Sequence, residues 1–206
     1  MPLLRDFRAA AERRGLLNPG DELDAAGAFA LVRDMPYRRA SSREPAVTLA
    51  EWTGTCSGKH YLLKALLEAL GYATMLMVCT HEFARGAQPW LPPELLALLE
   101  YGPVPDVHQF LRVQIDPAAP DGVWMTVDAT WPLAAGELGL PANEHWEDGR
   151  DMRVAADPIE LFHTPDGEDP QAFKELIIER EVGDEARRRD GFIEALSDWL
   201  TRSLEG

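Results

Sequence analysis

The segment from Cys56 to Tyr72, CSGKHYLLKALLEALGY, restricts the fold more than any other part of the chain. Leu62, Leu63, Leu66, Leu67 and Leu70 recur at helical spacing, and an apolar stripe that broad belongs against a core, which predicts a helix from about Cys56 to Leu70. Gly71 stands where a glycine ends a helix, since it takes the left-handed conformation without a Cβ penalty. The next residues, YATMLMVCT, are a short continuous apolar run that suits a buried strand.

Upstream, Leu3, Leu4, Phe7, Ala10 and Ala11 fall at helical spacing within residues 3–14, Pro19-Gly20 closes that segment, and a second helix is expected from about Asp21 to Asp34. The stretch MPYRRASSREPA, punctuated by Pro36 and Pro45, reads as an extended connection. Downstream, PWLPPELLALLEYGP predicts a short helix bracketed by prolines. In VHQFLRVQI, residues 107–115, Val107, Gln109, Leu111, Val113 and Ile115 alternate with His108, Phe110, Arg112 and Gln114. VWMTVD at 123–128 follows the turn-rich DPAAPDG, so the two runs predict an antiparallel hairpin. Residues 133–169 are rich in Pro, Gly and acids and read as surface segments with one apolar patch at DPIELF. Helical spacing returns between Asp184 and Leu204 through Phe192, Leu196, Trp199 and Leu200.

The 206 residues suffice for one well-buried core, and an apolar share of 46% with a charged share of 27% is ordinary for a globular protein. The formal net charge of -15 repels phosphate backbones and anionic lipid, which makes nucleic acid and membrane poor partners. No apolar run approaches the roughly 18 residues that cross a bilayer. Arg5, Arg8, Glu12 and Arg13 interrupt the apolar core that an export signal needs, so a cytoplasmic location is expected. Two cysteines, Cys56 and Cys79, supply neither a disulfide framework nor a four-thiolate zinc site.

Cys56 stands at the first turn of the leucine helix, where unpaired N–H groups and the macrodipole favour an anion and make a thiolate more available. Thr55 is the expected N-cap, and Gly54 and Gly58 leave room for an acyl substrate to approach. A thiolate nucleophile needs a proton carrier and a group that holds the carrier's tautomer. If the hairpin pairs around residues 116–122, opposed residue numbers sum to roughly 236 to 238, which puts Asp128 opposite His108 or one pair away. In either even register the two share a face, because side chains alternate with period two. A thiol, an imidazole and a carboxylate far apart in sequence are thereby expected to converge.

These residues resemble the transglutaminase-like superfamily. Its core pattern has a Gly-x-Cys at the head of a helix rich in Ala and Leu, then a His opening a strand, then an Asp-x-Thr ending the next strand. GTCSGKHYLLKALLEALGYAT, VHQFLRV and VWMTVDATWP occur here in that order, over about residues 46–132. Phe110 supplies the aromatic that often follows the family's His, while Ala129 stands where a proline usually follows the Asp. The resemblance implies an α+β, papain-like fold with the nucleophile helix packed on an antiparallel sheet. It implies one domain with a core at about 46–132, N-terminal helices in 1–45, and C-terminal loops and helix in 133–206. It further implies Cys56 as nucleophile, His108 as general base and acid, and Asp128 as the orienting carboxylate, with no cofactor and no metal. The expected activity is attack on an amide or ester carbonyl of a peptide, protein or small amide, with water or an amine resolving a thioester, as in a hydrolase or an acyltransferase.

The Cys56 backbone N–H is the natural first oxyanion donor, and the Trp52 indole, four residues upstream, is a candidate second. His60, one helical turn beyond Cys56, competes as a base or substrate-lining residue, and Trp124 is a further lining candidate. Plainer readings stand beside these: Cys56 as a small buried hydrophobe, His108 as a structural histidine, Asp128 as a turn cap, Trp52 and Trp124 as packing residues. Cys79, inside the apolar run, reads as packing. His81-Glu82 lacks the second histidine of a helical zinc motif, DGEDP at 166–170 reads as a solvated loop, and Arg187 to Arg189 read as an exposed helix face. A non-catalytic peptide-binding module on the same fold is the alternative function.

Overall fold

The structure, a computed structural model, describes residues 2–116, 122–165 and 167–205. Most of the connector expected at 116–122, and Asp166 of the DGEDP loop, lie outside the described residues. In chain order the elements are α1 (Pro2–Arg13), α2 (Ala25–Arg33), α3 (Pro45–Glu51), α4 (Cys56–Ala69), β1 (Ala73–Phe83), α5 (Pro93–Ala97), β2 (Val104–Gln114), β3 (Trp124–Val127), a 3-10 turn (Leu133–Leu138), β4 (Glu160–His163), α6 (Pro170–Val182), a second 3-10 turn (Gly183–Glu185) and α7 (Ala186–Glu205). The architecture is α+β, built on one four-stranded sheet in the order β3-β2-β1-β4, with every neighbouring pair antiparallel.

The predicted central helix is α4, and its end follows the predicted chemistry. Gly71 has φ 96°, Tyr72 N–H donates to the Leu67 carbonyl at 3.0 Å and Gly71 N–H to the Glu68 carbonyl at 3.1 Å, closing a Schellman turn. Leu62, Leu63, Leu66 and Leu67 are fully buried in one cluster with Phe7 of α1, Phe29 and Val32 of α2, Leu76 of β1, Leu111 and Val113 of β2, and Met125 and Val127 of β3. A second cluster joins α5 and α7 to Phe83, Trp131 and Tyr37, and a third seats Ile177 and Ile178 of α6 on Val78 and Val107.

The start of α4 is held by close backbone approach. A Cβ on Gly58 would lie 3.0 Å from Thr48 Oγ1 of α3, and one on Gly54 would lie 3.1 Å from Lys59 N. These glycines therefore serve the packing of α3 on α4, where the sequence suggested room for a substrate. Thr55 occupies the N-cap with extended backbone, but its side chain makes no cap hydrogen bond. The expected cap is thus positional only, and the first amides of α4 stay available to an anion.

The hairpin pairs Leu111 with Val127 and Gln114 with Trp124, one of the two even registers. Continued past the last pair, that register sets Asp128 beside Phe110, one pair from His108. Among the helices and strands, three were not read from the sequence: α3, β4 in the segment taken as surface loops, and α6. Among the described residues no helix is long and apolar enough to cross a membrane.

Candidate active site

Cys56, His108 and Asp128 meet. His108 Nε2 lies 2.7 Å from Asp128 Oδ2, and the Cys56 sulfur lies within side-chain hydrogen-bonding reach of the same imidazole. With Nε2 committed to the carboxylate, Nδ1 is the ring nitrogen left for sulfur. All three are buried, at 7%, 4% and 2% exposure.

Asp128 is an ionised brace. Its Oδ2 also accepts from Ala155 N–H at 2.8 Å and its Oδ1 from Thr130 N–H at 3.0 Å. Burial opposes its charge, but the His108 cation and these bonds hold it well below the usual carboxylate range. One oxygen thus caps the turn, as the plainer reading expected, and the other faces the imidazole. Burial would depress His108, yet Asp128 and then Cys56 outweigh it and raise the imidazole to about 10. Burial would likewise raise Cys56, but the Lys174 ammonium and the His108 bond bring the thiol well below its ordinary value. Both shifts favour the thiolate–imidazolium form of the pair over the neutral one.

Cys79 is the contrast. It is fully buried on β1 in register with His108, and burial pushes its thiol up to about 12.

His60 is a strut. It has no exposed surface, and Ala129 N–H donates to its Nε2 at 2.9 Å, so the proton sits on Nδ1 and is donated to the Cys56 carbonyl at 2.7 Å. Burial lowers its pKa, which keeps this tautomer neutral. Both nitrogens are consumed, so the lining or base role considered for His60 does not fit. Its ring ties the first turn of α4, at Cys56, to the backbone just after Asp128.

Trp52 is turned to α1: it stacks on Phe7 with centroids 5.5 Å apart, and the Arg14 guanidinium lies 4.5 Å above its ring. That commitment takes it away from an oxyanion role. Trp124 begins β3, about 13 Å along the chain from Asp128 at strand spacing, so it does not line the site either.

Four contributors escape the sequence reading. Lys174 of α6 is 2% exposed and its Nζ lies 2.7 Å from Ser57 Oγ and 3.6 Å from Cys56 Sγ. Asp106, two residues before His108, is buried between Arg189 of α7 and His81, whose Nε2 is 3.4 Å away. Arg189, expected on an exposed face, is 8% exposed and bound to Asp106. Lys59, fully buried, donates to the carbonyls of Arg33 at 2.8 Å and Thr130 at 2.9 Å. A start signal for α6 was present, because Asp169 caps it through Gln171 N–H and Pro170 follows at its first turn. Phe173, Leu176, Ile177, Ile178 and Val182 are spread around that helix, so no apolar stripe marks it.

Among the described residues no three His, Cys, Asp or Glu side chains form a metal-ligating group. No protein-family model matches the chain, and no curated protein matches it.

Proposed function

We propose that the chain is a cysteine-dependent acyl-transfer enzyme of transglutaminase-like type, with a papain-like arrangement of nucleophile helix and sheet, acting on an amide bond. The observation that carries the reading is the connected set of Cys56, His108 and Asp128 at the start of α4. The Cys56 thiolate attacks the carbonyl carbon, and the Cys56 backbone N–H at the positive end of α4 stabilises the oxyanion. The His108 imidazolium gives its proton to the leaving nitrogen as the C–N bond breaks and a thioester remains. Neutral His108 then takes a proton from the attacking water or amine, the C–S bond breaks, and the thiolate returns. Substrates are peptides, proteins or small amides.

The non-catalytic module remains a second reading because the sulfur is only 7% exposed beneath α6. One experiment separates the two. Incubation with p-nitrophenyl acetate, followed by mass spectrometry, is expected to place an acetyl group on Cys56, to fail in Cys56→Ala, and to slow by on the order of 10⁴-fold in His108→Ala. Its rate should follow a bell, rising as Cys56 ionises well below the ordinary thiol range and falling as His108 loses its proton near pH 10. Equal labelling of wild type and Cys56→Ala would sink the enzyme reading.

A further inference from the structure

We propose that Lys174 is a positioning residue that keeps Cys56 ionised: a buried ammonium delivered by α6 acts, beside the His108 imidazolium, as the second counter-ion of the nucleophile. The inference deepens the acyl-transfer reading of this site, but it concerns the charge state of the sulfur and needs no substrate.

Lys174 is too deeply buried for water to carry its charge. Its nearest polar atoms are a neutral hydroxyl, Ser57 Oγ, and the Cys56 sulfur. Asp106 also acts on it, but that carboxylate is already bonded to Arg189 and faces His81. Every element packed around the sulfur contributes. β2 brings Asp106 and His108, the turn after β3 brings Asp128, and β1 brings His81 and the neutral thiol of Cys79. α7 brings Arg189, α6 brings Lys174, and α4 itself brings Lys59, neutral His60 and, on its next turn, Tyr61. The connection after α2 brings Tyr37, whose phenol stays protonated because burial, Cys56 and Asp106 all raise it. Lys174, His108 and Arg189, with Lys59 lowered to about 7 beside them, are the cations around two carboxylates, Asp106 and Asp128. A thiolate on Cys56 is the third anion, and it alone of these groups meets both Lys174 and His108. Buried charges of both signs persist only when paired, so each ionisation supports the other. The influences on Lys174 oppose each other and leave its amine below its ordinary value: burial pulls it down, and the Cys56 sulfur comes first among the groups that push it back up.

This differs from a pair held by imidazole alone. When His108 is neutral, as in the thioester step, Lys174 still supplies positive charge where sulfur departs as thiolate. Ser57 fixes the ammonium's position through the 2.7 Å bond.

The test is the ionisation of Cys56 in the full chain, read by the ultraviolet absorbance of the thiolate and by iodoacetamide alkylation across acid to neutral pH. Cys79, fully buried with its thiol pushed up to about 12, stays silent in that range. Lys174→Met is expected to move the Cys56 transition upward, cutting alkylation in mildly acid solution by about tenfold or more, the effect of losing one nearby opposite charge. Lys174→Arg, which keeps the charge and tests the fold independently, is expected to restore most of the rate. An absorbance–pH curve in Lys174→Met that overlays wild type, or a Lys174→Arg curve no different from Lys174→Met with both variants folded, would overturn the proposal. Failure of the p-nitrophenyl acetate reaction alongside a lysine-dependent thiolate would count against acyl transfer and leave the counter-ion role standing.

Discussion

The two halves of α4 are equally buried by opposite chemistry. From Leu62 to Leu67 the buried residues are leucines, whereas from Cys56 to His60 they are a thiol, a hydroxyl, a glycine, an ammonium side chain and an imidazole. The leucines stabilise the fold by leaving water, each contributing roughly 1.5–3 kcal/mol. The polar half gains nothing from burial until each group finds a partner, and each of three groups has one on another element: His108 and Lys174 for Cys56, Ala129 for His60, Arg33 and Thr130 for Lys59. One half of the helix stabilises the molecule, and the other holds buried polar groups in a fixed arrangement at a cost in stability.

The largest test of this division is Leu66→Ala, in which a fully buried side chain is removed from the main cluster. Urea unfolding should show a loss of about 2–5 kcal/mol, while the folded variant keeps the wild-type thiol titration. A shifted titration would mean that the halves are not separable.

A loss of similar size is expected for His60→Ala, which leaves the Cys56 carbonyl and the Ala129 N–H without their partner. Each orphaned group costs about 1–3 kcal/mol. Because the strut joins the nucleophile's turn to the residue after Asp128, alkylation of Cys56 should slow as well. Retention of both stability and rate would show that the polar half is not a connected unit.

The smallest effect is a slope with pH. Burial lowers Lys59 from its ordinary 10.5 to about 7, so between those values the unfolded chain holds a proton that the folded chain has released, and stability from this group rises with pH. His108, raised to about 10, has the opposite sign: its contribution is complete below its ordinary 6.5 and is lost as pH climbs toward 10. Between pH 7 and 10 the two slopes oppose each other in wild type, each at most about 1.4 kcal/mol per pH unit. Because the depressed Cys56 thiol adds a rising slope of its own below its ordinary 9.0, Lys59→Met should flatten the rise in urea titrations at successive pH values. An unchanged slope would place the Lys59 amine outside this balance.

Much of the site was legible because it obeys local rules. The helix start placed Cys56, the glycine at 71 placed the other end of α4, and strand alternation with a bounded register put Asp128 within one pair of His108. His60 was misread because i+4 spacing shows which helix face a residue shares but not which backbone atoms close over it. Trp52 lies near Cys56 in sequence, yet its left-handed backbone, with φ 53°, ends α3 and accompanies a ring stacked on α1. Arg189 was read as exposed because an arginine run gives no sign that Asp106 lies buried more than eighty residues earlier.

The sequence by itself determined the leucine helix, the strand after it, the hairpin and the likeness of order among cysteine, histidine and aspartate, since each depends on periodicity, turn chemistry or spacing along a few residues. Only the tertiary structure decided that Lys174 stands on the sulfur, that His60 braces rather than reacts, and that Asp106 and Arg189 complete a buried set of charges. The reason is physical: a charge is tolerated out of water only beside its partner, and a partner 118 residues away on another helix leaves no trace in local pattern.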